Sequence, residues 1–256
     1  MFSFNEGLLG ILGPYNREFL LPGEEVKYLS SLKTQPEDWL YRTSKVHYDL
    51  NEYGHRAKSI NDIKNDYILF TGCSNTFGYG LKLEDIYVHK LAQKLNMDYY
   101  NLAVPGGTVK ICMINLLSFL NKVKNKPKKI VIQWPEFNRT VFYHNDSEIF
   151  LYSHKFNPGP QEDSRYDSTV YDTLLKYNIP YTESVFHRKI ILDNLTHLHI
   201  DTYEMSSDFS NSLDDHTSHR FIKLPSSVID VARDLEHPGV KTHDYWVENL
   251  LKIIKK

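Results

Sequence analysis

Residues Tyr67–Leu81 read YILFTGCSNTFGYGL, and the fold turns on this stretch. Tyr67 to Phe70 are apolar without interruption, and Thr71 completes a run of strand length. A strand half-exposed to water would alternate polar and apolar residues. This one does not, which predicts a parallel strand covered on both faces. The run stops at Gly72-Cys73-Ser74, with Gly78 and Gly80 close behind. A serine at the end of a buried strand has two readings. It caps the helix that follows, or it is a nucleophile presented on a tight turn. A serine hydroxyl is a poor nucleophile until a base takes its proton, so the second reading demands a histidine held by a third group.

Working outward, the flanking segments take helical and strand periods in turn. LEDIYVHKLAQKLN (83–96) places Ile86, Val88, Leu91, Ala92 and Leu95 at near-helical spacing. MDYYNLAVPGGT (97–108) reads as a short strand ending in a Pro-Gly-Gly turn. TVKICMINLLSFLNKVKN (108–125) is a second amphipathic helix with a lysine-rich end, and KKIVIQW (128–134) a third strand. Strand, helix, strand, helix, strand at these lengths predicts a βαβαβ unit on a parallel sheet. Upstream, LPGEEVKYLSSLKT (21–34) has a proline near its start and acids in its first turn, which favours a short helix. Residues 140–185 break the rhythm with a polar, aromatic, Pro-Gly-containing stretch that reads as an insertion. FHRKIILDNLTHLHIDTYEM (186–205) then restores a helix and a strand, in which His197 and His199 alternate as one exposed face. VKTHDYWVENLLKIIKK (240–256) closes with an amphipathic helix. The expectation is a single domain over 1–256: a three-layer α/β/α sandwich on a parallel sheet, flavodoxin-like in outline, with an extension at 1–60 and the insertion at about 140–185.

Composition narrows the function classes. The chain has 256 residues, 41% of them hydrophobic, enough for one sizeable core. A formal net charge of −2 gives no cationic excess to drive phosphate-backbone binding, so no nucleic-acid partner is expected. Only two cysteines occur, Cys73 and Cys112, and neither belongs to a closely spaced pair. A disulfide framework and a cysteine zinc site are disfavoured. No apolar run reaches membrane-spanning length, and the N-terminus lacks a basic segment before its apolar patch, so neither a membrane span nor a secretory signal is expected. A cytoplasmic, reducing location follows, and the richness in Lys, Asn, Ile and Tyr is in keeping with an AT-rich microbial or phage genome.

In open parallel sheets functional groups gather beyond the carboxyl ends of the strands. Three such ends are visible: Gly72-Cys73-Ser74, Pro105-Gly106-Gly107, and Gln133 through Arg139. A fourth group, RDLEHPGVKTH (233–243), sits just before the last helix and sets Asp234 three residues ahead of His237. An acid so placed can accept the Nδ1–H of the histidine while Nε2 faces outward, fixing the tautomer that a base needs. With Ser74 at a strand end, Asp234 and His237 supply the partners that the nucleophile reading requires. His216 and His219, with Asp214 and Asp215, form a His-x-x-His pattern on a polar stretch and read as solvated surface; no metal or cofactor is expected. His243, in the first turn of the last helix, is expected to cap or pack there.

These blocks resemble those of the SGNH (GDSL-type) hydrolases. FTGCSNTFGYGL (70–81) is similar to the first block of that superfamily, where Gly-Asp-Ser and a glycine turn follow the first strand. NLAVPGG (101–107) resembles the second, Asn-x-x-x-x-Gly, and DLEHPGVKTHDYW (234–246) the closing Asp-x-x-His-Pro block. NEYGHR (51–56) resembles the Asn-x-x-Gly-x-Arg lead-in. The blocks occur in family order and cover roughly residues 66–140 and 225–256. The resemblance implies an esterase acting on carboxylic esters without a cofactor. Ser74 would attack, His237 act as base and then acid, and Asp234 orient His237. The N–H groups of Ser74 and Gly106 would meet the oxyanion. A carbohydrate or other small-molecule ester is the implied substrate, an O-acyltransferase would use the same site, and a non-catalytic member would bind a glycan or protein partner. Two departures stand out. The third block, Gly-x-Asn-Asp, is missing after KKIVIQW, leaving Asn138 as candidate side-chain donor, with Arg139 beside it. Cys73 replaces the usual acid; with nothing basic flanking it, it reads as a small buried residue.

Overall fold

The structure is a computed structural model that describes residues 2–5, 7–11, 16–20, 22–64, 66–144, 148–152, 173–174, 176–206, 220–225 and 227–255. Ahead of the main sheet come a hairpin of β1 (Phe2–Asn5) and β2 (Leu8–Ile11), then α1 (Pro22–Thr34) between the short paired strands β3 (Asn16–Arg17) and β4 (Tyr48–Asp49). The YILFT run forms β5 (Tyr67–Thr71), and α2 (Ser74–Phe77) follows at once. Next are α3 (Tyr87–Lys94), β6 (Asp98–Asn101), α4 (Val109–Lys122) and β7 (Lys129–Gln133). A separate hairpin of β8 (Thr140–His144) and β9 (Glu148–Tyr152) precedes α5 (Ile179–His197), β10 (Asp201–Ser206), β11 (Phe221–Lys223) and α6 (Val240–Ile254).

The main sheet has five strands in the order β6-β5-β7-β10-β11, and every neighbouring pair is parallel. Residues alternate across it. Ile68 and Phe70 point to the layer of α3 and α6, where Val88, Leu91, Trp246 and Leu250 are buried. Tyr67 and Leu69 point to the layer of α4 and α5, against Leu116, Phe119, Ile191 and Leu195. Both faces of β5 are thus covered, which is why its sequence does not alternate. This is the expected three-layer α/β/α sandwich on a parallel sheet, and its strand order is that of flavodoxin-like folds. From β5 the chain first builds β6 on one side and then β7 on the other. The crevice between β5 and β7 is the switch point at which such sheets bind ligands.

Several local expectations change. The helix expected from Leu83 starts at Tyr87, because Leu83–Asp85 is a 3₁₀ turn and Ile86 is extended. His197 and His199 do not alternate along a strand: His197 ends α5, and His199 has φ 53° in the turn before β10. The helix runs further than the HLH pattern suggested, and its end is closed by bonds from Leu198 and His199 back to Asn194 and Thr196. His243 packs in the core, where its Nδ1 accepts the N–H of Tyr87 at 2.9 Å. In the expected insertion, the β8–β9 hairpin opens the segment and α5 begins before its end; residues 153–172 lie outside the described residues, as do the side chains of Tyr143, Phe150 and Tyr152 and all of Phe156. Asp214, Asp215, His216 and His219 also lie outside them, and among the described residues no cluster of three metal-ligating side chains occurs. No helix among the described residues is long and apolar enough to cross a membrane.

Two histidines are locked into this framework uncharged. His55 bonds the Leu9 carbonyl through Nε2 (2.9 Å) and Tyr100 through Nδ1 (3.1 Å), and burial pushes its pKa down to about 4. Burial lowers His243 to about 3, with Lys90 and His237 adding to the effect. In the unfolded chain both take up protons near the ordinary value of 6.5. Their contribution is therefore fully present at neutral pH and is lost as pH falls below that value. Each should remove about 1.4 kcal/mol per pH unit until its folded value is reached. Urea midpoints should fall steeply from pH 6 to pH 4; midpoints unchanged over that range would contradict this account.

Candidate active site

Ser74 is the first residue of the single-turn helix α2. The N-cap position belongs to Cys73, and no side chain caps the turn. The serine hydroxyl is directed elsewhere: its Oγ lies 2.8 Å from Nε2 of His237. On the other edge of the imidazole, Nδ1 bonds Oδ2 of Asp234. Oδ1 of Asp234 accepts the N–H groups of His237 (3.1 Å) and Glu236 (3.3 Å). Burial pushes the Asp234 carboxyl up, but the bonds from His237 and these N–H groups outweigh it and hold the group below the usual carboxylate range. A charged Asp234 keeps the proton on Nδ1, so Nε2 is left to accept the serine proton. The Asp234 side chain is 3% exposed and that of His237 25%, so the carboxylate is closed off while the imidazole keeps access to solvent.

The turn under Ser74 is shaped by contact. A Cβ at Gly72 would meet Thr76 Oγ1 at 2.3 Å and the Gln133 carbonyl at 2.9 Å, so only glycine fits between β5 and β7 here. Thr76 donates to Gln133 Oε1 at 2.6 Å, and Asn101 Nδ2 holds the Thr76 carbonyl at 2.9 Å. Arg56, the last residue of NEYGHR, is fully buried and holds the Gly78 and Leu81 carbonyls, each at 2.8 Å. The lead-in motif thus clamps the exit of the Ser74 turn. The second block packs alongside: Val104 N–H bonds the Gly72 carbonyl at 3.3 Å, and Gly107 N–H bonds Val104 at 2.9 Å. Gly106 has φ 73°, a conformation that favours glycine. Among the described residues, no hydrogen-bond acceptor engages the N–H of Ser74 or of Gly106.

The loop carrying Asp234 and His237 is pinned at both ends. Ala232 N–H bonds the His237 carbonyl at 2.8 Å, and Asp230 caps α6 through the N–H groups of Lys241 (3.0 Å) and Thr242 (2.9 Å). Its middle is held by Arg233, whose guanidinium pairs with Glu24 of α1 at 2.6 Å and also donates to the Glu18 carbonyl. Glu24 further accepts Tyr48 Oη (2.7 Å) and the Leu20 N–H (2.9 Å). In the sequence Glu24 reads only as an acid in a first helical turn. Its burial depends on partners far along the chain, so no local signal marks it. Arg233 stands next to Asp234, and that adjacency is the one available hint.

The third strand end follows the sequence less closely. Asn138 lies half-buried in the turn between β7 and β8. Trp134 braces this turn by donating to Glu204 at 2.8 Å, and Arg188 bonds the same carboxylate. Cys73 is buried, as expected, but the expectation that nothing basic flanks it fails: the Arg139 guanidinium lies close enough for the two groups to interact electrostatically. Arg139 also bonds Glu136 at 3.3 Å. Burial alone would lower Arg139, yet Cys73 and Glu136 raise it. Residue spacing cannot show this contact, because the two loops meet only through the pairing of β5 with β7.

No protein-family model matches the sequence, and no curated protein matches it. Solved structures similar to this chain include one described as a lipolytic protein of the G-D-S-L family from Desulfitobacterium hafniense DCB-2, at 12% identity and TM-score 0.49 over 73% of this chain and 98% of that one. Another is an acetyl xylan esterase from the rumen bacterium Butyrivibrio proteoclasticus, at 14% and 0.44 over 83% and 67%. A third is a carbohydrate esterase family 2 enzyme with a carbohydrate-binding domain from Corynascus thermopiles (Myceliophthora fergusii), at 15% and 0.45 over 83% and 71%. At such identities and overlaps the likeness transfers no chemistry to this chain.

Removing one member of a buried ion pair strands the other. Glu24→Ala should therefore lower the unfolding free energy by about 3–5 kcal/mol. Urea denaturation checks this, and a loss within the scatter of surface substitutions would contradict it.

Proposed function

We propose that this chain is a serine-dependent carboxylic-ester hydrolase of the SGNH type, built as one domain and removing acyl groups from a carbohydrate or other small ester. The observation that carries the reading is the Ser74–His237–Asp234 chain, with Oγ and Nε2 2.8 Å apart at the switch point of a parallel sheet. The order of the sequence blocks supports it.

Ser74 Oγ attacks the ester carbonyl carbon while its proton passes to His237 Nε2. The carbonyl π electrons move to oxygen. That oxyanion is received by the N–H groups of Ser74 and Gly106, with Asn138 assigned as the side-chain donor. Collapse expels the alcohol, which takes the proton from His237. Water then attacks the acyl-serine, giving its proton to the same nitrogen, and the acid leaves as Ser74 is restored. Asp234 stays ionised and steadies the imidazolium in both halves. Losing one oxyanion donor in such a site costs about 10²–10³-fold in rate. An alcohol in place of water would make the second half an acyl transfer.

A fluorophosphonate probe tests the reading directly. Labelling is expected at Ser74 and should disappear in His237→Ala; a folded but unlabelled wild-type protein would sink the enzyme and favour a glycan- or partner-binding role. Hydrolysis of p-nitrophenyl acetate against longer-chain esters, with Ser74→Ala as control, then defines the acyl preference. Asp234→Asn should lower kcat by about 10⁴-fold through the wrong imidazole tautomer. An undiminished rate would remove Asp234 from the triad.

A further inference from the structure

Tyr79, in the turn after α2, lies against His237, with ring centroids 5.0 Å apart and planes inclined by 38°. The buried carboxylate of Glu24 lies close enough to act on its hydroxyl electrostatically. Glu24 is in turn fixed by Arg233, Tyr48 and the Leu20 N–H. Tyr48 packs against the Tyr79 ring with centroids 6.1 Å apart, and its own hydroxyl accepts the Gly80 N–H at 2.8 Å. The tyrosine ring thus lies in contact with the rings of both Tyr48 and His237. It takes no part in the proton path from Ser74 to His237.

We infer that Tyr79 is a positioning residue for the reaction proposed above: its ring holds the His237 imidazole in the plane that aims Nε2 at Ser74 and favours the imidazolium that forms when the serine is deprotonated. The inference rests on Ser74 and His237 being nucleophile and base. An aromatic face is electron-rich and attracts a cation within about 6 Å of its centroid. The phenol oxygen, an electron donor to the ring, enriches that face further. Asp234 supports the positive charge through the Nδ1 edge of the imidazole, and Tyr79 supports it through the ring.

The other charged and titratable groups around His237 are largely neutralised. On its own loop, Glu236 is turned to Lys27 of α1 at 2.6 Å, and Arg233 is paired with Glu24 of α1. From α6, His243 is uncharged at neutral pH because burial holds it at about 3. From α2, Ser74 is neutral until it reacts.

The test is an NMR titration of His237 in the full chain, its signal assigned by its absence in His237→Ala. Position 79 carries in turn tyrosine, phenylalanine, 4-fluorophenylalanine and 3,5-difluorophenylalanine, which keep the ring's shape while draining its electron density. The His237 pKa should fall along the series by about half a pH unit, roughly threefold in the protonation equilibrium. The acid limb of kcat/KM should move down with it, and Tyr79→Leu should lie at or below the low end. A flat or rising series overturns the inference. Should Tyr79→Leu fail to fold, the shape-preserving series still decides. The titration does not depend on turnover: a falling series in a protein without esterase activity would defeat the proposed function and leave the ring contact established.

Discussion

One buried ion pair joins the two ends of the chain over the site. Glu24 and Arg233 are each 1% exposed in their side chains, and between them they fix α1, the turn after α2 and the loop carrying Asp234 and His237. Neither charge could remain buried alone, since the desolvation cost of an unpaired ion exceeds most single contributions to stability. The constraint is thus mutual. The amino-terminal segment needs the carboxy-terminal loop as a charge partner, and the loop needs that segment to hold its backbone near Ser74. Tyr48 completes the hydrogen bonding of Glu24 and packs against Tyr79, whose ring lies beside His237.

Around this clamp the sheet supplies position. Close packing at Gly72 brings the ends of β5 and β7 together, and Val104 docks the Pro-Gly-Gly turn on the Gly72 carbonyl. Ser74, Gly106 and the Asn138 turn therefore arise from three adjacent strand ends, while His237 arrives from the start of α6. The rigid parts are strands and buried polar clamps, and the candidate site residues sit at their tips. Such division lets a fixed scaffold hold a hydroxyl within hydrogen-bond reach of a base.

The sequence revealed most of the frame because the frame is local in origin. An uninterrupted apolar run gives a doubly covered strand, and apolar spacing with a threonine cap gives α4. Asp234 and His237 were readable because their contact spans three residues, and only Ser74 had to be joined to them from afar. What escaped was non-local. Glu24 looks like any acid opening a helix, and only the fold turns it inward. The Arg139–Cys73 contact depends on which strands are neighbours. His197 and His199 show a different failure: two alternate residues fit a strand as well as a helix end followed by a left-handed turn. The missing third block left Asn138 as a guess from position, and its half-buried turn offered no residue pattern to improve on that.

The bond between Ser74 and His237 closes a loop of 163 residues. The entropy of such a closure grows only with the logarithm of its length, so the fold can bear it, but nothing short of the fold can imitate it. A fragment containing only β5, α2 and the β6–β7 crossovers lacks the histidine that Ser74 bonds. The hydroxyl gains its partner only when α6 has docked against α3 and drawn the preceding loop over the sheet. The Ser74–His237 contact is consequently a late event in the folding of each molecule. It reports that segments far apart in the sequence have found each other, and a partly unfolded chain leaves the Ser74 hydroxyl without its histidine.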